Sequence, residues 1–174
     1  MSTNHYYTKY ATLTTGAPSG RYTRGWFYWG TSTYDSRIEN FAWTEPVVSV
    51  SVSDGAVDYG TLALNTTKSN CALNDTQTVT NDGNVTENFN IKGKNSDAWN
   101  LASTAGLNEY MHKFSSSTCP VTTWIALTTD YQTLDTNKAA NATATLNLQV
   151  TTPTATINYT EQDVSVTVQA VLAG

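Results

Sequence analysis

The chain has 174 residues, of which 13% are charged and 39% hydrophobic, and its net charge is −5. Charge is about half that of an average globular protein, yet the apolar content is too high for a disordered tail, and the length suits one domain or one domain with an extension. The acidic balance argues against nucleic acid as a partner, since holding phosphates requires a basic face, and no apolar run of the length that spans a bilayer is present.

Threonine takes the place of the missing charge, with 32 copies. A β-branched hydroxyl residue suits the solvated face of strands, so the chain reads as all-β. Met1 to Tyr10 (MSTNHYYTKY) lacks the apolar core of a signal peptide, which implies that such a segment was removed or never present.

Two unlike parts meet at Pro46. Residues 1–45 hold 11 of the 19 aromatic residues and carry four basic against three acidic side chains; residues 46–174 carry five against eleven. The opposite signs allow the two parts to attract each other between copies. Within the first part, Gly25-Trp26-Phe27-Tyr28-Trp29-Gly30 read as a strand puts Trp26 and Tyr28 on one face and Phe27 and Trp29 on the other. A strand apolar on both faces seeks burial on both sides. Tyr22, Trp26, Phe27, Tyr28, Trp29, Phe41 and Trp43 are therefore the candidate residues of an assembly arm that docks on a neighbouring copy by β-augmentation. Two other readings stay open: the segment covers an edge of its own domain, or Trp26, Trp29 and Trp43 stack on sugar rings.

From Pro46 the pattern alternates with period two. Val48-Ser49-Val50-Ser51-Val52 opens this region, and Val164-Ser165-Val166-Thr167-Val168-Gln169-Ala170 closes it. Between them strands are predicted near 59–64, 76–80, 85–92, 98–102, 109–115, 123–128 and 143–150, the last with Ala144, Leu146, Leu148 and Val150 inward. The turns carry suitable residues at Ser53-Asp54-Gly55, Asn81-Asp82-Gly83-Asn84, Ala105-Gly106 and Thr151-Thr152-Pro153. The Asn-Asp-Gly-Asn stretch is read as a hairpin turn requiring positive φ. Thr136 to Ala144 reads as a polar loop. Short strands at this spacing predict an immunoglobulin-like β-sandwich over 46–174, with a closed barrel as the alternative.

Three stretches carry a resemblance: Val57-Asp58-Tyr59-Gly60-Thr61-Leu62, then Thr78 through Gly93 (TVTNDGNVTENFNIKG), then Trp99-Asn100-Leu101. This pattern resembles that of secreted immunoglobulin-like modules on bacterial and archaeal surfaces. Such modules are similar to subunits of surface layers, pili and fibres, including donor-strand filaments of the TasA and camelysin type and archaeal bundling pili. The resemblance implies a sandwich that polymerises outside the cell. The arm before Pro46 has no counterpart in it.

Cys71 and Cys119 lie 48 positions apart and are expected to form a structural disulfide, which implies a chain outside a cytosol or one from a hyperthermophile. A metal site needs more ligands than two thiols and the distant His5 and His112, and a nucleophilic cysteine would have only His112 near it. Five Asn-x-Thr sequons, at Asn65, Asn74, Asn84, Asn141 and Asn158, are candidate glycosylation sites on a secreted chain. Asp54, Asp58, Asp75 and Asp82 fall in or beside turns and read as turn caps. The chain has no phosphate loop, nucleophile elbow or zinc-protease motif, so no enzyme, cofactor or metal is expected. The leading expectation is an extracellular structural subunit whose partner is itself. The alternatives are an adhesin module that binds glycans or a host surface, and a virion decoration or tail protein.

Overall fold

The structure, a computed structural model, describes residues 20–29 and 34–174. The chain divides into two compact units, Met1–Pro46 and Val47–Gly174. In the first, β1 (Gly20–Trp29) and β2 (Tyr34–Trp43) form an antiparallel ladder in which Tyr22 lies opposite Phe41, Trp26 opposite Arg37 and Trp29 opposite Tyr34. The aromatic arm residues therefore belong to a two-stranded ladder; their side chains, and residue His5, lie outside what the structure describes. A two-stranded ladder alone is marginally stable in water.

The second unit is a β-sandwich. Its larger sheet is built on β11 (Thr143–Thr151). On one side, β11 pairs with β5 (Gln77–Asn81) and, further along, with β4 (Thr67–Ser69); β3 (Val50–Val52) sits outside β5. On the other side lies β8 (Glu109–Ser115), flanked by β7 (Asn100–Leu101) and β9 (Ile125–Ala126). The smaller sheet has β6 (Glu87–Gly93) at its centre between β10 (Gln132–Lys138) and β12 (Val166–Leu172). Among the described residues there is no α-helix, only a 3₁₀ turn over Asn70–Leu73, and no helix is long and apolar enough to cross a membrane.

Alternation explains the core. Val79 of β5, Phe114 of β8 and Ala144, Leu146 and Leu148 of β11 face Phe89 and Ile91 of β6 and Leu134 of β10, and all are buried. Each of these side chains contributes about 1–3 kcal/mol through burial. The inward set expected on the 143–150 strand, Ala144, Leu146, Leu148 and Val150, is buried throughout. Asn81 holds the far end of β5: buried, it donates to the Val85 and Lys138 carbonyls (both 2.8 Å) and accepts from Gly83 N–H at 2.8 Å.

Several expected elements differ. The predicted strand at 59–64 is irregular, because Gly60 and Asn65 both take positive φ and end any extended run; the Tyr59 carbonyl accepts from Lys68 Nζ at 2.9 Å and the Ala63 carbonyl from the Thr152 hydroxyl at 2.7 Å. The 123–128 strand shrinks to Ile125–Ala126. Val48 is exposed and precedes β3. The polar stretch expected as a loop over 136–144 contains the end of β10 and the start of β11. β10 escapes the periodicity because only Leu134 of it is buried and its register shifts twice. Finally, the Asn81–Asn84 turn uses no positive φ. Gly83 stands there because a Cβ would run into the Val47 carbonyl oxygen and the Glu87 carboxylate.

Candidate assembly surface

The sandwich is closed unevenly. β12 pairs with β6 from Val166↔Gly93 to Leu172↔Glu87, and on its outer side no strand pairs with it among the described residues. Val166, Val168 and Ala170 point toward the core but remain half-buried, as do Val50 and Val52 of β3 in the opposite sheet. β3 and β12 approach each other at this flank without forming a ladder. Five apolar side chains from two sheets thus line one seam, under a seven-residue row of backbone donors and acceptors, half of them facing outward.

Other edges are guarded. β10 is broken by register shifts and carries the Asp135–Lys138 ion pair at 2.6 Å, while β7 and β9 have two residues each. Bulges, charge and brevity are the usual means of preventing edge-to-edge pairing. β12 has none of them: residues 164–174 contain no charged side chain. That absence is visible in the sequence and is the signal that marks this edge.

The inner end of the seam is set by polar contacts. Val47 N–H donates to Asn84 Oδ1 at 2.8 Å, Asn84 N–H returns to the Val47 carbonyl at 3.1 Å, and Ser49 N–H donates to Oε1 of Glu87 at 2.9 Å. Glu87 is wholly buried and its second oxygen has no partner. This buried carboxylate, which sequence reasoning did not single out, anchors the strand that enters the sandwich from the N-terminal unit.

The remaining sequence candidates are dispersed. Cys71 and Cys119 form a disulfide, with Cα atoms 5.8 Å apart, joining the 3₁₀ turn to the segment after β8. Asn65, Asn74 and Asn141 sit exposed in turns at positive φ. Asn84 is exposed with its Oδ1 occupied by Val47 N–H, and Asn158 is half-buried with its Oδ1 accepting from the Thr160 hydroxyl at 2.7 Å. None of the five lies in β3 or β12. Asp54 and Asp58 accept from Ala56 and Gly60 N–H respectively, and Asp75 accepts from Gln77 Nε2. Asp82 is exposed. Among the described residues no three His, Cys, Asp or Glu side chains converge in a way that holds a metal ion.

Burial perturbs three titratable groups. His112, on the inward face of β8, is 1% exposed with neither ring nitrogen partnered, and burial holds its pKa down at about 4. The Tyr110 hydroxyl donates to the Lys94 carbonyl at 2.6 Å, and burial pushes its pKa up to about 12. Burial, with Asp75 nearby, raises the Tyr59 phenol well above its usual range. The Tyr110 and His112 rings stand 6.3 Å apart, tilted by 49°.

Compared with known proteins, the chain matches no family model, no curated protein and no solved structure. The functional reading therefore rests on the geometry above.

Proposed function

We propose that this protein is a structural subunit of an extracellular filament or surface layer, in which the N-terminal arm of one copy adds to the open β12 edge of the next. The observation that carries the reading is the seam between β12 and β3, where core-directed valines of both sheets remain half-buried along an uncharged strand whose outer side pairs with no strand among the described residues. An extended segment laid along β12 satisfies the backbone row and covers those valines, which is what β-augmentation supplies. The arm has complementary needs. It is aromatic on both faces of its expected strand, and the marginal stability of a two-stranded ladder is relieved by joining a larger sheet. A contact of this kind between a segment of one copy and an edge of another is head-to-tail, and without closure it grows as a filament. The disulfide fits an oxidising location such as the cell exterior. Immunoglobulin-like topology and glycan attachment at the exposed sequons belong to the same proposal.

The test is negative-stain electron microscopy of the full chain beside a chain beginning at Pro46, together with the double substitution Trp26→Ala/Trp29→Ala. Regular fibres or sheets from the full chain alone support the reading. Isolated particles from every sample, or fibres that persist without the arm, refute it.

A further inference from the structure

One end of the sandwich presents apolar side chains on a rigid polar frame. The segments 105–108 and 153–163 are laced together there. Leu107 bridges Ala155, Asn108 N–H donates to the Ala155 carbonyl at 2.9 Å, and Thr154 N–H donates to the Gly106 carbonyl at 3.1 Å. Beneath them the buried Thr156 hydroxyl donates to Asn108 Oδ1 at 2.8 Å and accepts from Trp99 Nε1 at 3.0 Å. Gln162 Oε1 accepts from the Ser96 hydroxyl and Ala98 N–H, tying the run before β12 to the run before β7.

The order is inverted relative to an ordinary loop: polar groups are spent inside, while Leu107 (66% exposed), Ile157 (88%) and Tyr159 (78%) face solvent. A patch of large apolar residues held by a fixed framework is an interaction surface. Its rim is acidic. Gly106 pairs with Glu109 across the turn, and the ties of Gln162 to Ser96 and Ala98 set Asp97 near Glu161 and Asp163. None of these four carboxylates forms an ion pair among the described residues.

The chain itself contains a matching segment. All three arginines, Arg21, Arg24 and Arg37, lie in the arm, and β1 (GRYTRGWFYW) combines two of them with five aromatic residues; the facing strand β2 sets Glu39 opposite Arg24 and leaves Arg21 opposite Ala42. Guanidinium pairs bidentately with carboxylates and stacks on aromatic rings, which suits an acidic rim around Leu, Ile and Tyr. Position agrees as well. The chain enters the sandwich at Val47, beside the Asn81–Asn84 turn and the C-terminal end of β12, whose Ala173 N–H donates to the Thr86 carbonyl. The apolar patch adjoins the starts of β8 and β12, at the opposite end.

We infer that Leu107, Ile157 and Tyr159, with the surrounding carboxylates, form the docking site for β1 of a second copy, so that successive subunits meet arm to far end. The identity of the occupant rests on the assembly reading above; the site does not depend on pairing with β12. The experiment uses the full chain carrying Tyr159→p-benzoylphenylalanine, mixed as ¹⁴N and ¹⁵N protein, irradiated and mapped by mass spectrometry. Crosslinks between differently labelled copies that fall within 20–29 are expected. In parallel, Glu161→Arg/Asp163→Arg is expected to raise the critical concentration for assembly by about tenfold or more, and adding Arg21→Glu/Arg24→Glu is expected to restore it. Crosslinks only within one copy, or only to another copy outside 20–29, overturn the inference, as does charge reversal without effect or without rescue. Should fibres not form while intermolecular crosslinks to 20–29 do, the filament reading fails and this site stands; fibres whose Tyr159 crosslinks avoid the arm give the converse.

Discussion

Replacing His112 with leucine removes two buried ring nitrogens that no group satisfies, while keeping an apolar side chain of similar size among its neighbours. An unsatisfied buried polar atom costs about 1–3 kcal/mol, so His112→Leu is expected to stabilise the sandwich at neutral pH. The sharper expectation concerns acid. Burial holds the folded-state pKa at about 4, below the ordinary value of about 6.5. As pH falls below the unfolded value, the unfolded chain takes up a proton that the folded chain refuses, so stability is present above about pH 6.5 and is lost as pH falls toward 4. At 1.36 kcal/mol per pH unit, the loss from this one residue between pH 7 and pH 5 is about 2 kcal/mol. Urea unfolding of the wild type and His112→Leu at pH 7, 6 and 5 reads it directly. Packing offsets between the two side chains are independent of pH, so the quantity to compare is how the difference between the proteins changes with pH. Parallel pH profiles would refute the argument, showing that the imidazole is protonated or hydrogen-bonded in the folded state.

Three further expectations follow from the described contacts. Reducing the Cys71–Cys119 bridge, or replacing both cysteines by serine, is expected to cost about 4 kcal/mol from the chain entropy of the 48-residue separation; equal urea midpoints with and without reductant would contradict this. Asn81→Ala breaks three hydrogen bonds around a fully buried site and is expected to lower stability by about 2–4 kcal/mol, read by the same unfolding curves. Gly83→Ala forces a methyl against the Val47 carbonyl and the Glu87 carboxylate; it is expected to cost about 1–3 kcal/mol and to accelerate hydrogen exchange at Ser49, whose N–H that carboxylate holds.

What could be read from the sequence was whatever burial writes into alternation. The apolar side chains of β6, β8 and β11 recur on a two-residue beat, although the alternation is plainer in Val48–Val52 and Val164–Ala170. β4 (Thr-Lys-Ser) and β10 carry almost no buried apolar residue and exist because a neighbour offers a ladder; a sequence pattern has no means of recording that. The run 59–64 shows the opposite failure, with strand-forming residues whose extension is broken by Gly60 and Asn65. The Asn-Asp-Gly-Asn turn was located correctly but for a different reason, since its glycine is required by a carbonyl and a carboxylate brought in from residues 47 and 87. The assembly surface divides similarly. The aromatic arm and the uncharged C-terminal strand were both open to inspection, but that β12 lies at an edge depends on topology. The exposed trio Leu107, Ile157 and Tyr159 was hidden, because in the sequence an apolar residue looks the same facing in or out.

The disulfide also has a mechanical meaning. Its loop, from Cys71 to Cys119, encloses β5, β6, β7 and β8, including the central strand of the smaller sheet, while β3, β4, β11 and β12 lie outside it. Tension applied at the two ends of the chain can unravel the strands outside the loop, central β11 among them, but cannot draw out the enclosed segment. The bond withholds about 160–170 Å of extension, the fully stretched length of the 48-residue separation. Under load the molecule divides into extensible flanks and an inextensible kernel, and reducing the bond, whose Cys119 is exposed, adds the length of the kernel to what can be drawn out.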